Sequence, residues 1–214
     1  MHSFLIIGLS QFGREMARKL VRLGEEVLAI DINIDKVDHI SSEVDARQCD
    51  CLDEEVLKTL GIPDYDHVIV AISEDIQASA LITTLVKEMG AKHIICQSYD
   101  EKHSRLLRRI GADYIVCPEV DMGDRVARKF ASDLLDFFPL SGDQSIVEIG
   151  VPPKWVGKSL RELGVRANYS VNVIGMRRAG SRFLDTSILP DYCFTEKDTL
   201  MVIGLSENIA RMLK

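Results

Sequence analysis

The sequence lacks a long hydrophobic run and a strong positive charge. No window approaches 18 uninterrupted apolar residues, so we expect no membrane-spanning helix. The beginning of the chain has no basic segment followed by a long apolar one, which predicts a cytoplasmic protein rather than a secreted one. The net charge is −7, and this disfavours general nucleic-acid binding.

Cysteines and catalytic motifs are also scarce. The five cysteines form an odd, scattered set, which is typical of free thiols. Cys49 and Cys51 form one close pair, but no second pair follows at the spacing of a zinc site. A Gly-x-Ser-x-Gly elbow, a His-Glu-x-x-His motif and a Tyr-x-x-x-Lys pair are all absent. We therefore expect a binding protein and not an enzyme.

The first half of the chain alternates between strand and helix patterns. Short apolar runs alternate with amphipathic segments six times, which predicts an α/β fold with a Rossmann-like, doubly wound parallel sheet. Several runs are continuously apolar, as in strands covered on both faces. The predicted strands are Phe4–Ile7, Val27–Ile30, Ala46–Cys49, Val68–Ile72, His93–Cys96 and Tyr114–Cys117.

The pattern changes after Pro118. Residues 121–138 predict an amphipathic crossover helix that ends at Pro139, and Ser141-Gly142-Asp143 predicts a short linker. The expected apolar side of this helix comprises Val126, Phe130, Leu134, Leu135 and Phe138.

The last third of the chain predicts a small α+β domain. Strands are expected near 145–151, 171–177 and 199–203, with a short helix near 158–163. The predicted domains are accordingly residues 1–139 and residues 143–214. Because a core of this size is small, we expect the second domain to dimerise.

The stretch "FLIIGLSQFGREMARKL" is close to a Gly-x-Gly-x-x-Gly nucleotide fingerprint between a strand and a helix. Gly8 permits the tight turn, Gly13 permits close packing of helix and strand, and the helix start offers free N–H groups to phosphate. The middle position is Ser10. Either this serine is simply tolerated, or it shifts or weakens phosphate docking. We expect the amides and the Ser10 hydroxyl to hold phosphate, with little help from cationic side chains.

Asp31 follows at the end of the second predicted strand. A carboxylate there accepts hydrogen bonds from the two ribose hydroxyls of a bound nucleotide. The same carboxylate would repel a 2′-phosphate. The sequence therefore predicts an adenosine nucleotide or NAD as the ligand and disfavours NADP.

Five stretches together resemble the RCK (regulator of conductance of potassium) family of the KtrA/TrkA type. They are "IIGLSQFGREMARKL", "VLAIDINIDKV", "LGIPDYDHVIVAISEDIQASALITTLVKEMG", "RRIGADYIVCPEVDMGDRVA" and "SIVEIGV" with "GKSLRELGVRANYSVNVIGMRR". The resemblance implies a cytosolic regulatory subunit that binds ATP, ADP, AMP or NAD(H). It also implies dimers that assemble into a ring, often an octamer, on a potassium-translocating membrane subunit of the KtrB/TrkH type. Ligand-dependent changes of ring shape would gate that subunit.

The resemblance also assigns candidate residues. The nucleotide positions are Gly8, Leu9, Ser10, Gln11, Phe12, Gly13, Asp31, Ile32, Asp50, Cys51, Ala71, Ile72 and Gln97. Glu119 matches a carboxylate that helps to hold Mg²⁺ or another cation near the phosphates; alternatively it is a helix-start carboxylate favoured by the dipole. Arg166 lies in the segment that binds cyclic di-AMP in some members; alternatively it is a surface arginine of a dimer interface.

Two other classes remain as alternatives. One is a small NAD(H)-binding oxidoreductase or redox-sensing regulator that uses Cys49 or Cys51 as a reactive thiol. The other is a DNA-binding redox repressor, which would need a winged helix. No basic recognition helix is visible in the sequence.

The departures from the family pattern predict a weaker preference for ATP. The resemblance implies a glycine and an arginine where this chain has Ser10 and Gln11, and a lysine where it has Gln97. Loss of two cations beside the terminal phosphates weakens ATP binding by on the order of a few kcal/mol in a partly buried site. We expect calorimetric titration to give ADP, AMP or NAD(H) affinities comparable with that of ATP; far tighter ATP binding would contradict this.

Overall fold

The computed structural model describes residues 1–131, 134–140 and 142–213. The chain divides into two compact units, Met1–Asp121 and Met122–Lys214. No helix in the described part of the chain is both long enough and apolar enough to cross a bilayer.

The first unit contains a six-stranded parallel sheet. Its strands are β1 (Ser3–Ile7), β2 (Glu26–Asp31), β3 (Asp45–Gln48), β4 (His67–Val70), β5 (Ile94–Gln97) and β6 (Tyr114–Val116). Their spatial order is β3-β2-β1-β4-β5-β6, so the chain reverses direction across the sheet between β1 and β4. The predicted Rossmann-like doubly wound sheet is confirmed, and this reversal is where such sheets bind ligands.

Helices connect these strands. They are α1 (Gln11–Arg22), α2 (Ile34–Asp38), α3 (Glu54–Thr59), α4 (Ile76–Glu88) and α5 (Glu101–Ile110). Each of the five begins after a serine, asparagine or aspartate whose side chain accepts a hydrogen bond from a backbone amide of the first turn. Such caps satisfy amides that the helix itself leaves unpaired, so the helix starts are specified locally.

Apolar residues cover both faces of the sheet. Along β1, Leu5 and Ile7 belong to one buried cluster, whereas Phe4 and Ile6 belong to another. Because side chains alternate across a strand, a sheet buried on both faces needs continuous apolar runs. This explains the runs that the sequence shows.

The second unit is a small α+β fold, as predicted. Its elements are β7 (Leu134–Pro139), β8 (Gln144–Gly150), α7 (Leu160–Leu163), α8 (Val165–Tyr169), β9 (Asn172–Arg177), β10 (Thr199–Leu205) and α9 (Ser206–Leu213). The strands form an antiparallel sheet in the order β7-β8-β10-β9. Trp155 and Phe194 are fully buried in its core.

The predicted helix over residues 121–138 is wrong in its second half. Helix α6 covers Pro118–Ala131, and β7 then pairs with β8. An apolar run as short as Leu134–Phe138 suits a helix or a strand equally well by pattern. Pairing with β8 decides the matter, because it supplies hydrogen bonds for the backbone while Phe137 packs against the core of the second unit.

The two compact units divide at Asp121 and Met122, inside α6. The domain bounds 1–139 and 143–214 stay a prediction. Of the predicted linker, Gly142 is in a turn and Ser141 lies outside the described residues.

His67, at the start of β4, makes stability sensitive to acid. Its ring stacks between Phe4 and His93, with centroid distances of 4.9 and 5.4 Å, and its buried Nδ1 has no hydrogen-bond partner among the described residues. Burial, together with the nearby His93 and His2, lowers the pKa of His67. Protonation therefore favours the unfolded chain, where the pKa is near its ordinary value.

We predict that the free energy of unfolding falls as the pH drops below 6.5, the ordinary histidine pKa, toward the lowered pKa of the folded state. The His67→Phe variant keeps the aromatic stack and removes one titrating group, so its stability should fall less over that range. Urea unfolding at several pH values measures the difference. Parallel curves for the two proteins would contradict this role of His67.

Candidate nucleotide site

A cavity of about 500 Å³ opens at the carboxyl ends of β1, β2, β3 and β4. It lies where the strand order reverses, which is the usual ligand position in a doubly wound sheet. Its lining comprises Ile7, Gly8, Ser10, Gln11, Arg14, Ile30, Asp31, Ile32, Lys36, Cys49, Asp50, Cys51, Leu52, Ala71, Ile72, Ser73, Glu74, Asp75, Ala78 and Ile82.

The passage of the chain from β1 into α1 requires glycine at both position 8 and position 13. Gly8 has a φ of +96°, and a Cβ there would lie 2.8 Å from the Ala71 carbonyl oxygen. A Cβ on Gly13 would lie 2.3 Å from the carbonyl oxygen of Gly8. Distances this short exclude any side chain at either position without a shift of the backbone.

Three amides of this loop are free to bind an anion. The amides of Gly8, Leu9 and Gly13 donate to protein oxygens. The amides of residues 10–12, at the start of α1, have no acceptor among the described residues. Unpaired N–H groups at the positive end of a helix dipole form a site for phosphate.

Ser10 has a different role from the one expected. Its hydroxyl donates to Oε1 of Gln97 at 2.8 Å and accepts from the amide of Gly13 at 3.2 Å. The hydroxyl hydrogen is therefore used within the protein rather than offered to phosphate. Gln97 is 2% exposed and does not line the cavity, so its visible role is to hold Ser10.

Asp31 is held rigidly at the end of β2. Its Oδ2 accepts from the Leu9 amide at 2.7 Å, and its Oδ1 accepts from the Asn33 amide at 2.8 Å. Lys36 Nζ lies 3.7 Å from Oδ2. An ionised carboxylate has about four acceptor positions, so positions remain for ribose hydroxyls after these contacts.

Five further residues predicted for the nucleotide also line the cavity: Ile32, Asp50, Cys51, Ala71 and Ile72. The resemblance implies that Asp50 and Cys51 flank the adenine. The sulfur atoms of Cys49 and Cys51 are 4.0 Å apart. Burial raises the pKa of both thiols, so neither forms the reactive thiolate readily at neutral pH.

Several predicted residues lie outside the cavity lining. They are Leu9, Phe12, Gly13, Gln97 and Glu119, of which Glu119 is exposed in the first turn of α6. No cluster of three or more His, Cys, Asp or Glu side chains in the described part of the chain could hold a metal ion. The described residues thus do not form a metal site by themselves.

Arg14 and Lys36 line the cavity and were not expected there. The expectation of little cationic help with phosphate stays a prediction, and these two side chains are the cations of the lining that are placed to give such help. Arg14 lies three residues after Gln11 on α1, so the two share a helix face. That spacing is the sequence signal that could have identified it.

The second unit contains a shallower cavity of about 400 Å³ near α7, α8 and β9. The predicted residue Arg166 lines it and donates from Nε to Oδ1 of Asn172 at 2.6 Å. The apolar lining comes mainly from Leu160, Val165 and Val171.

Family models match both units. The TrkA-N domain model matches residues 4–118, and the TrkA-C domain model matches residues 145–214. The chain belongs to the TrkA-N/TrkA-C family. The larger cavity therefore lies in the TrkA-N domain and the shallower one in the TrkA-C domain.

Two relatives match this TrkA-N/TrkA-C protein over nearly its whole length. Ktr system potassium uptake protein C of Bacillus subtilis is 39% identical, over 99% of this chain and 96% of the relative. Ktr system potassium uptake protein A of Vibrio alginolyticus is 37% identical over the same shares. The match covers both domains and the segment between them.

Solved structures share the fold. The GsuK channel bound to NAD has a TM-score of 0.69 and 23% identity, over 98% of this chain and 38% of that chain. The GsuK RCK domain has a TM-score of 0.65 and 22% identity, over 99% of this chain and 46% of that chain. This chain thus spans less than half of either GsuK chain, and the likeness concerns the fold alone.

We predict that Gly13→Ala destabilises the TrkA-N domain by about 1–3 kcal/mol, because the new methyl group overlaps the Gly8 carbonyl oxygen. The matched control is Gly123→Ala in α6, where a Cβ meets nothing within 4 Å. There the change should be neutral or slightly stabilising. Urea unfolding compares the variants, and a Gly13→Ala protein as stable as the control would refute the packing argument.

Proposed function

We propose that this chain is a nucleotide-sensing regulatory subunit of a membrane potassium transporter. The observation that carries the proposal is the cavity at the sheet reversal, with free amides on one wall and Asp31 on another. Both relatives described above are Ktr system potassium uptake proteins. Ligand binding, rather than turnover, is the activity that this arrangement supports.

The ligand we propose is an adenine nucleotide, ADP, ATP or AMP, or NAD(H). Asp31 takes the ribose hydroxyls, the amides of residues 10–12 take phosphate, and the pocket around Cys51 and Ile72 takes the base. Glu119 would contribute only to a cation shared with the ligand phosphates, because the described residues form no metal site alone.

A second ligand, cyclic di-AMP, is proposed for the TrkA-C domain. Arg166 supplies a guanidinium at the rim of the shallow cavity, and guanidinium groups suit phosphate oxygens. Asn172 already orients this side chain through the 2.6 Å hydrogen bond.

Assembly into dimers and then a ring, an octamer in our proposal, fits the surface of α6. Met122, Val126 and Phe130 are exposed on this helix, and exposed apolar residues on one element favour a protein interface. We propose that the ring acts on a KtrB/TrkH-type membrane subunit, as a cytoplasmic protein peripherally associated with the inner face of the membrane. No catalytic role or nucleic-acid partner is proposed.

The redox alternative is less favoured. Cys49 and Cys51 lie together in the cavity, but the raised pKa of each thiol opposes nucleophilic chemistry at neutral pH. Nucleotide-dependent labelling of these thiols would revive this alternative.

We predict that NAD and ADP raise the melting temperature of the protein, whereas NADP raises it less because its 2′-phosphate meets Asp31. Asp31→Asn should weaken NAD binding about tenfold through loss of charged hydrogen bonds. Asp38→Asn, an exposed change outside the cavity lining, is the matched control. Equal affinities for NAD in all three proteins would contradict the role of Asp31.

Potassium uptake tests the regulatory part of the proposal. Cells lacking this chain should take up potassium more slowly, and the wild-type gene should restore uptake better than the Asp31→Asn gene. Unchanged uptake in the deletion strain would refute the transporter assignment while leaving nucleotide binding intact.

A further inference from the structure

We infer that Arg14 is the side chain that recognises the ligand phosphate and so sets the selectivity of the cavity for phosphorylated adenosines. This inference rests on the proposed nucleotide binding and deepens it. The chemistry recognised is a phosphate group attached to an adenosine, as in AMP, ADP or NAD.

The hydrogen bonds of the Arg14 guanidinium leave several of its N–H donors available. The side chain is half-buried and lines the cavity, and Nη1 donates to the carbonyl oxygen of Leu9 at 2.8 Å. A guanidinium has five N–H donors in a planar fork that matches phosphate oxygens. No carboxylate among the described residues forms an ion pair with Arg14, so most of its donors remain available.

The other charged residues of the cavity lining are mostly acidic. Asp31, Asp50, Glu74 and Asp75 place four carboxylates around the cavity. The other cation of the lining, Lys36, lies 3.7 Å from Asp31 and is already paired. Within the described lining, Arg14 is thus the cation that can compensate the charge of a phosphate.

Arg14 lies close in the chain to the free amides at the start of α1. Arg14 follows the free amides of residues 10–12 in the chain and lines the same cavity as Ser10 and Gln11. In the inferred complex, one phosphate contacts both the amides and the guanidinium. Leu9 connects this end to the ribose end, because its amide donates to Asp31 and its carbonyl accepts from Arg14. The carboxylate and the guanidinium are therefore held at a fixed separation by one buried residue, which prepares the cavity for a ribose with a phosphate attached.

Calorimetric titration of the full chain with adenosine, AMP and ADP tests the inference. We expect wild type to bind ADP more tightly than adenosine. Arg14→Gln should weaken ADP binding by about ten- to a hundredfold, as loss of a charged hydrogen-bonding group does, and change adenosine binding less than about twofold. Arg22→Gln, on the same helix but 71% exposed and outside the lining, should leave both affinities unchanged.

Arg14→Lys provides a second, more conservative variant. It keeps the charge but loses the fork, so its ADP affinity should lie between those of wild type and Arg14→Gln. If both variants bind ADP as wild type does, the inference is overturned and the proposed nucleotide site stands. If wild type binds neither adenosine nor its phosphates, the proposed function fails together with the inference.

Discussion

The hydrogen bond from the Leu9 amide to the Asp31 carboxylate, at 2.7 Å, joins the ends of the two strands that begin the fold. It ties the loop after β1 to the last residue of β2. The Asp31 carboxylate also accepts a hydrogen bond from the amide of Asn33, the residue that caps the start of α2. A buried carboxylate that accepts backbone amides is well compensated, which explains how Asp31 tolerates 8% exposure.

The same loop is also connected toward the other half of the sheet. Ser10 reaches Gln97 at the end of β5, across a sequence separation of 87 residues. Close packing of Gly8 and Gly13 against each other and against Ala71 links the loop to the end of β4. The loop is thus connected to the ends of β2, β4 and β5.

Burial and backbone contacts hold the titratable groups that line the cavity. Burial raises the pKa of its thiols, and three of its lining carboxylates, Asp31, Asp50 and Asp75, accept hydrogen bonds from backbone amides. Two cations face four carboxylates in the lining, so ligand charge is only partly compensated.

Local pattern by itself determined the alternation of strands and helices, the two loop glycines and Asp31, because each reflects geometry within a few neighbouring residues. Only the tertiary structure decided that Leu134–Pro139 is a strand, since its backbone partner β8 lies outside any local window. The partner of the Ser10 hydroxyl was likewise decided by the fold. A hydrogen bond between residues far apart in the chain depends on how the strands are ordered in space, and a short stretch of sequence does not contain that order.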